Sequence, residues 1–349
     1  MIKLFSLNNA FDMKQWDEFV KSHPKGTPFH LSGWLCTIYE TYKFKPLLYV
    51  NKTEDKNITS IFPLFLIKAP FSGSRIVSLP FSDYGGPLCT TIEQENEFLK
   101  EIIKTYKDKV NYVAVRSALM NSNNFIHYNY YKRLVLNLQP QPPFVLKKID
   151  KRTIQYSIRK AQKSGVTIIE ENNENGLEEF FRLNKLTRKK HGVPSQPNRF
   201  FTNLLTEMNL NGYISILLAI YNSRTIAAGL FLKFKDTVYY KYNASDTTYL
   251  SKLTPNHLLT WHAIEQACLD GYSFFDFGRT SPDNNGLMRY KIMWGATPFD
   301  LPYYYYPKIA GATSEEGTGI KYRLFTTCWR YLPDFLTDFI SPRIFKYSA

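Results

Sequence analysis

The sequence predicts a two-part protein of mixed α/β class, and three observations carry that expectation. Its 349 residues exceed what one hydrophobic core usually organises. Helix-like and strand-like apolar periodicities alternate along the chain. Their order also repeats: two helices, three meandering strands, a helix and a further strand occur in each half.

In the first half, residues 14–21 and 32–42 read as amphipathic helices, with Trp16, Phe19 and Val20, then Trp34, Leu35 and Ile38, on their apolar faces. Residues 46–50 and 58–67 read as strands joined by the polar turn 51–57. A short strand at 76–79 leads into a Gly-rich loop at 82–87. A helix at 93–108 and a buried strand at 112–116 close the half. The second half offers helices at 177–190 and 198–208 and a strand at 213–220. The turn Asn222-Ser223 returns the chain through 225–233, and 238–243 follows. A helix at 255–270 ends at Gly271, and 274–277 is the last strand.

Composition narrows the class further. Hydrophobic residues make up 44% and charged residues 21%, the balance of a folded globular chain. The best apolar runs, 58–67 and 213–221, are half the length needed to cross a bilayer. Residues 1–10 lack the basic-then-apolar build of a signal peptide, so a cytoplasmic location is expected. Cys36, Cys89, Cys268 and Cys328 are far apart without CxxC or metal-ligand spacing, so reduced thiols and no metal site are expected.

The unusual quantities are a net charge of +14 and an aromatic fraction of 16%. Lys147, Lys148, Lys151, Arg152, Arg159, Lys160 and Lys163 form one basic run, opposed only by Asp150. Arg182, Lys185, Arg188, Lys189, Lys190 and Arg199 form a second with no acid among them. A solvated helix face and a phosphate-binding wall are both open readings. Residues 313–319 are small and polar. The tail beyond them mixes Trp329, Tyr331, Phe335, Phe339 and Phe345 with Arg323, Arg330, Arg343 and Lys346. It reads either as a helix packed on the first domain or as an element lying on lipid headgroups.

The stretch Gly271-Tyr-Ser-Phe-Phe-Asp276-Phe-Gly278-Arg279-Thr280, then Gly286, then Arg289-Tyr290-Lys291-Ile-Met-Trp294-Gly295 resembles the FemABX-related acyltransferases. Phe29-His30-Leu31-Ser32-Gly33-Trp34, Ser82-Asp83-Tyr84-Gly85-Gly86-Pro87, Ser157-Ile158-Arg159-Lys160-Ala161 and Arg188-Lys189-Lys190-His191-Gly192 extend the likeness along nearly the whole chain. The resemblance implies two tandem GNAT-like domains, residues 1–146 and 147–310, each a mixed, mainly antiparallel sheet flanked by helices. A helical tail, 311–349, follows. It also implies transfer of an acyl or aminoacyl group to an amine of a cell-wall or surface-polysaccharide precursor. The implied co-substrate is aminoacyl-tRNA or acyl-CoA, with no tightly bound cofactor. The implied partners are tRNA and a phosphate-bearing glycan, lipid-linked or nucleotide-linked.

Two other motif readings fall away. Asp276-Phe277-Gly278 mimics a kinase motif, but no HRD loop or GxGxxG precedes it. The segment 244–254 holds no glycine where an acetyl-CoA enzyme carries a Gly-rich pyrophosphate loop, which disfavours CoA without excluding it. An acyl-CoA-dependent N-acetyltransferase and a non-catalytic RNA- or glycan-binding module remain alternatives.

By the resemblance, Lys291 matches a family lysine that stabilises an oxyanion or a donor phosphate. Arg279, at the end of a buried strand, suits a phosphate or carboxylate. Asp276 is either a base or the partner that holds Arg279. Arg188, Lys189 and His191 are expected to meet an anionic substrate in an interdomain cleft. His191 is a candidate general base or a helix-terminal cation. Asp83, Tyr84, Gly85 and Gly86 offer backbone amides or form a plain turn; Tyr240 and Arg289 complete the substrate-binding candidates. One departure counts against a UDP-linked acceptor: no Lys or Arg lies between Lys25 and Lys43.

Overall fold

The computed structural model describes residues 2–70, 73–121, 124–307 and 320–348. The polar stretch at 313–319 lies outside the described residues. The chain divides into two compact units: Met1–Tyr131 with Asp300–Ser314 and Lys346–Ala349, and Lys132–Phe299 with Glu315–Phe345.

In the first unit, Asn9 accepts hydrogen bonds from the amides of Phe11 and Asp12 and so starts α1 (Ala10–Ser22). Helical spacing puts Met13, Trp16 and Val20 on the buried face. Helix α2 (Ser32–Tyr42) buries Trp34, Leu35 and Ile38. Strands β2 (Lys45–Lys52), β3 (Ile58–Ala69) and β4 (Gly73–Ser78) form an antiparallel meander, pairing Leu47 with Leu64 and Leu66 with Ile76. Helix α3 (Ile92–Tyr106), capped by Thr91, carries the chain back so that β5 (Tyr112–Val115) lies parallel to β4, Ile76 opposite Val113. Strand β1 (Ile2–Phe5) extends the sheet beside β2, and β12 (Thr297–Tyr306) beside β5. Phe62, Phe98, Ile102, Val113 and Val115 lie in the core beneath it.

The chain enters the second unit within β6 (Ile126–Asn137) and continues through α4 (Pro142–Lys148) and α5 (Tyr156–Lys163) to β7 (Thr167–Glu170). The same order then returns. Helices α6 (Glu174–His191) and α7 (Asn198–Asn209) precede the meander β8 (Ile214–Tyr221), β9 (Arg224–Phe234) and β10 (Thr237–Ser245). A short α8 (Thr247–Leu253) and the longer α9 (Pro255–Leu269) lead to β11 (Phe274–Thr280), which lies parallel to β10. Strand order in this unit is β6-β11-β10-β9-β8-β7. Phe231, Leu259, Ile264, Phe275 and Trp294 form its core. Helix α10 (Asn285–Met293) follows β11, and the tail supplies α11 (Ile320–Tyr331) and α12 (Asp334–Phe345).

The repeated element order expected from the sequence is thus present, and each copy turns a three-stranded meander into a parallel pair. Sequence periodicity did not reveal β1, β6, β7, β12 or α10. β6 reads IHYNYYKRLVLN and β12 reads TPFDLPYYYY, so neither shows the clean alternation of a half-buried strand. Cys89 and Cys268 are buried free thiols, and burial pushes Cys89 up to about 12, which keeps it protonated and unreactive.

Candidate functional site

The second unit contains an opening in its sheet. Parallel pairing of β10 with β11 runs from Thr237↔Phe274 to Tyr239↔Asp276 and then ends, although β10 continues to Ser245 and β11 to Thr280. On β10 a register shift between Tyr240 and Tyr242 marks the divergence; on β11 a second shift lies between Asp276 and Arg279. Two strands that separate in this way expose backbone groups and the start of the helix that connects them.

The segment Asp276-Phe277-Gly278-Arg279 is held open by its own side chains. The Asp276 carboxylate is buried; one oxygen accepts from the Gly278 amide at 2.7 Å and the other from Arg133 Nε at 2.7 Å. Gly278 takes φ +70°, the left-handed region that favours glycine. From α10, the buried Lys291 ammonium donates to the carbonyls of Phe277 at 2.6 Å, Arg279 at 3.1 Å and Gly278 at 3.4 Å. Asp276 and Lys291 therefore grip the same kink, one through its amide and the other through its carbonyls. Arg279 is half-buried at the strand end, and Arg289 is exposed on α10.

A polar and aromatic cluster lies where α9 starts. The Tyr240 hydroxyl accepts from Asn243 Nδ2 at 2.6 Å and from Thr260 Oγ1 at 3.4 Å, while its ring stacks on Phe231. Asn256 Nδ2 donates to Asn243 Oδ1 and Ser245 Oγ. The His257 ring meets Tyr290 edge-on at 5.6 Å and stacks on Trp294 at 6.4 Å. Burial pushes the pKa of His257 below its ordinary value and those of Tyr240 and Tyr290 above theirs. The cluster is therefore uncharged at neutral pH, with a neutral imidazole beside protonated phenols. Asn256 Oδ1 and His257 Nδ1 are buried with no hydrogen-bond partner among the described residues. Buried polar atoms are usually satisfied, so two orphans in successive residues mark a place for a ligand or water.

Basic groups flank this start. Pro255 opens α9 without a side-chain cap, next to Thr254 in the left-handed region. Thr254 Oγ1 donates to the Ser157 carbonyl on α5, and Lys160 Nζ donates to the Ser251 carbonyl on α8. Helix α5 thus brings the first basic run beside the helix start, with Arg159 and Lys163 exposed. The second run is engaged differently. Arg182 pairs with Glu179, Lys185 with Asp338 at 2.6 Å and Lys189 with Asp334, the last two on α12. Arg188 Nε donates to the Pro194 carbonyl, and its guanidinium lies 5.8 Å from the Phe345 ring centre. His191 ends α6 before Gly192. Burial first, then the charges of Lys190, Arg188 and Arg330, hold its pKa below the ordinary value, which favours the neutral form.

In the first unit the equivalent opening beyond β4 and β5 is filled by the chain itself. Gly85 bridges to Arg116, its amide donating to the Arg116 carbonyl at 2.8 Å. Ser78 Oγ donates to the Gly85 carbonyl and accepts from the Arg116 amide. Thr27 N donates to His30 Nδ1, so His30 Nε2 carries the proton that reaches the Gly86 carbonyl at 3.1 Å. Tyr303 donates to the Asp83 carbonyl at 2.7 Å, and Tyr84 packs edge-on against Phe29. A Cβ on Gly86 would come within 2.6 Å of Ser117 Cβ, so that glycine accommodates a protein neighbour.

The structure thus gathers Asp276, Arg279 and Lys291 on one kink and places Tyr240 in the cluster at the start of α9. Arg188, Lys189 and His191 share the last turn of α6, and Asp83, Tyr84, Gly85 and Gly86 form a self-packed loop in the other unit. Sequence reasoning passed over His257, Asn256 and Tyr290. One signal was available: a histidine two residues after the proline that starts a helix.

An antiparallel meander, a helix and a parallel strand that splays from its neighbour define the GNAT fold, and this chain contains that order twice. Residues 150–292, within the second unit, match a family model described as an acetyltransferase (GNAT) domain. Among solved structures, FemX aligns over 87% of this chain and 96% of its own, at 16% identity and TM-score 0.68. The C-terminal domain of a putative lysylphosphatidylglycerol synthetase from Agrobacterium fabrum aligns over 86% and 93%, at 8% identity and TM-score 0.58. A tandem GNAT protein from the clavulanic acid biosynthesis pathway aligns over 87% and 97%, at 8% identity and TM-score 0.54. None of the curated proteins matches the sequence. Residues 150–292 thus carry the likeness to a GNAT acetyltransferase domain, and the fold implied by the FemABX-related resemblance is the fold found.

Proposed function

We propose that the second unit transfers an acyl or aminoacyl group from an activated donor to an amine. The observation that supports this most is the asymmetry between the two splayed strand pairs. In the first unit the Gly85–Arg116 bridge fills the opening; in the second, β10 and β11 separate beside an uncapped helix start. An activated acyl group fits where backbone groups are exposed and its phosphates can meet basic residues of α5.

In this reading Lys291 and Asp276 are positioning residues that fix the kinked end of β11. Arg279 and the α5 basic residues face the phosphate of the donor, and Tyr240 and Arg289 contribute to substrate binding. Neutral His257 takes the proton from the attacking amine. The nitrogen forms its bond to the acyl carbon as the ester or thioester bond breaks, and the departing oxygen or sulfur is protonated. Backbone amides and the Tyr240 and Tyr290 hydroxyls supply uncharged donors for the intermediate oxyanion.

The donor is aminoacyl-tRNA or acyl-CoA. The acceptor is an amine on a phosphate-bearing cell-wall or surface-polysaccharide precursor, met in the cytoplasm or at the inner membrane face, with Arg188 and His191 at the end of α6 as further contacts. Mass spectrometry of surface glycans and peptidoglycan from cells with and without the gene tests this directly. An added acyl or aminoacyl mass that depends on the gene and on His257 is expected. Unchanged glycans, with no turnover of either donor class by the purified protein, would overturn the reading. A thermal shift with CoA but not with aminoacyl-tRNA would assign the donor.

A further inference from the structure

The tail helix α12 turns one side toward α6, where it buries Thr337 and Ser341. Asp334, Thr337, Asp338 and Ser341, spaced at three and four residues, face α6 and line a cavity of about 510 Å³ with Phe181, Lys185, Lys189 and Trp329. Thr337 and Ser341 are buried there, and the Asp334–Lys189 and Asp338–Lys185 pairs fix the helix's rotation. The opposite face carries Phe335 and Phe339, one turn apart and 70% and 61% exposed. Helix α11 precedes α12 in the tail. It buries Thr326 and Trp329 but exposes Leu324, Phe325 and Tyr331, the last at 85%. Its seat is close-packed: a Cβ on Gly192 would come within 2.1 Å of the Thr326 carbonyl oxygen.

An apolar surface of this kind normally marks an interaction site, because monomeric proteins keep large apolar side chains from clustering in water. Its charges indicate which kind. The two acids of α12, Asp334 and Asp338, pair with α6 lysines, and Arg330 and Arg343 are exposed beside the aromatic residues. The Arg343 guanidinium lies 3.7 Å from the Phe339 ring centre, a cation held at the border of an apolar patch. Among the described residues no helix is long and apolar enough to cross a membrane, so α11 and α12 suit the interface and not the interior.

We propose that the exposed face of α11 and α12 seats the protein on a bilayer surface rich in anionic phospholipid. Phe335, Phe339, Leu324 and Tyr331 enter the headgroup–acyl boundary, and Arg330 and Arg343 meet the phosphates. This inference stands apart from the acyl-transfer reading, since it uses none of the residues of the β10–β11 opening.

Sedimentation of the full chain with vesicles of phosphatidylcholine, with and without phosphatidylglycerol, tests it. Binding is expected to the phosphatidylglycerol vesicles and to weaken as salt rises. Joint Phe335→Ser and Phe339→Ser changes are expected to weaken it by about tenfold or more with the melting temperature unchanged, since both side chains are solvent-exposed. Arg330→Gln with Arg343→Gln should weaken binding and flatten its salt dependence. Absence of binding to the anionic vesicles, or equal binding by the Phe-to-Ser variant, would overturn the proposal. Light scattering gives a second outcome that overturns it: a dimer abolished by the same substitutions, without lipid binding, would assign the face to a second copy of the chain.

Discussion

The ammonium of Lys291 donates to the carbonyl oxygen of Phe277 at 2.6 Å, and to the carbonyls of Gly278 and Arg279 from the same position. A residue fourteen positions downstream thereby fixes the backbone at which β11 leaves β10. Replacing it with Met leaves three carbonyls without this donor. We expect Lys291→Met to lower stability by about 1–3 kcal/mol and to impair both kcat and donor KM. A lysine acting only on the reacting atoms would lower kcat with the melting curve unchanged, so denaturation and kinetics together decide between the roles.

Asp276 faces the other side of the same kink, between Arg133 and the Gly278 amide. Asn at this position keeps an acceptor for the amide but removes the charge that Arg133 meets. Asp276→Asn is expected to destabilise by about 1–3 kcal/mol. In a double-mutant cycle, adding Arg133→Met should cause less further loss than Arg133→Met does alone. Urea unfolding of the four proteins measures this.

His257 is held neutral by burial, its pKa below the ordinary 6.5. A base of this kind is competent above its own pKa, so the acid limb of kcat/KM should fall below pH 6.5. Stability has the same direction: the unfolded chain binds the proton more readily, so acidification through the ordinary histidine range lowers stability. His257→Gln is expected to lower kcat by about a hundredfold and remove that limb. Retention of the limb in the variant would assign the titration to another group.

Gly86 has no room for a side chain because Ser117 Cβ already occupies the position. Gly86→Ala should destabilise by about 1–3 kcal/mol through overpacking, and Ser117→Gly in the same chain should restore most of the loss. If the glycine served only ligand approach, stability would not change and the second substitution would restore nothing. Thermal melts of the single and double variants give the answer.

The tail is latched to α6 by carboxylates on α12. The hydrogen bond from Lys189, followed by its charge, holds the pKa of Asp334 below the ordinary carboxylate value. A lowered carboxylate pKa stabilises the docked state above the ordinary value of 3.8, and the effect is lost as pH falls through the docked one. Exposed pairs contribute modestly, so acid or Asp334→Asn should speed limited proteolysis of the tail by about a few fold. In Lys189→Met the tail should be cleaved faster at neutral pH, with little further change on acidification.

Much of the fold was legible along the chain. Apolar spacing at Trp16 and Val20 and the buried runs of β3 and β9 identify elements by local pattern alone, while Met13 takes the buried place expected of Phe19. The family-like motif from Gly271 to Gly295 drew attention to Asp276, Arg279 and Lys291, which do converge on one kink. What the pattern did not reveal was the direction of those side chains. Lys291 as a residue type suits an oxyanion or three carbonyls equally, and only the packing of α10 beside β11 selects its contacts. β12 escaped notice for a related reason, since its place beside β5 is set by a partner almost two hundred residues earlier in the chain.

The sequence by itself determined the class: two successive α/β repeats, a basic excess, and a motif that resembles the FemABX-related acyltransferases. Tertiary structure decided which splayed strand pair is open. In both units the strands diverge, but a loop containing Gly85 bridges the gap in the first, and among the described residues no isolated bridge spans the gap between β10 and β11. It also decided that α12 presents Phe335 and Phe339 to solvent while its two carboxylates pair with lysines of α6. Both outcomes depend on contacts between residues far apart in the chain. Periodicity records which face of an element is apolar; the partner that faces it is fixed only when the chain is folded.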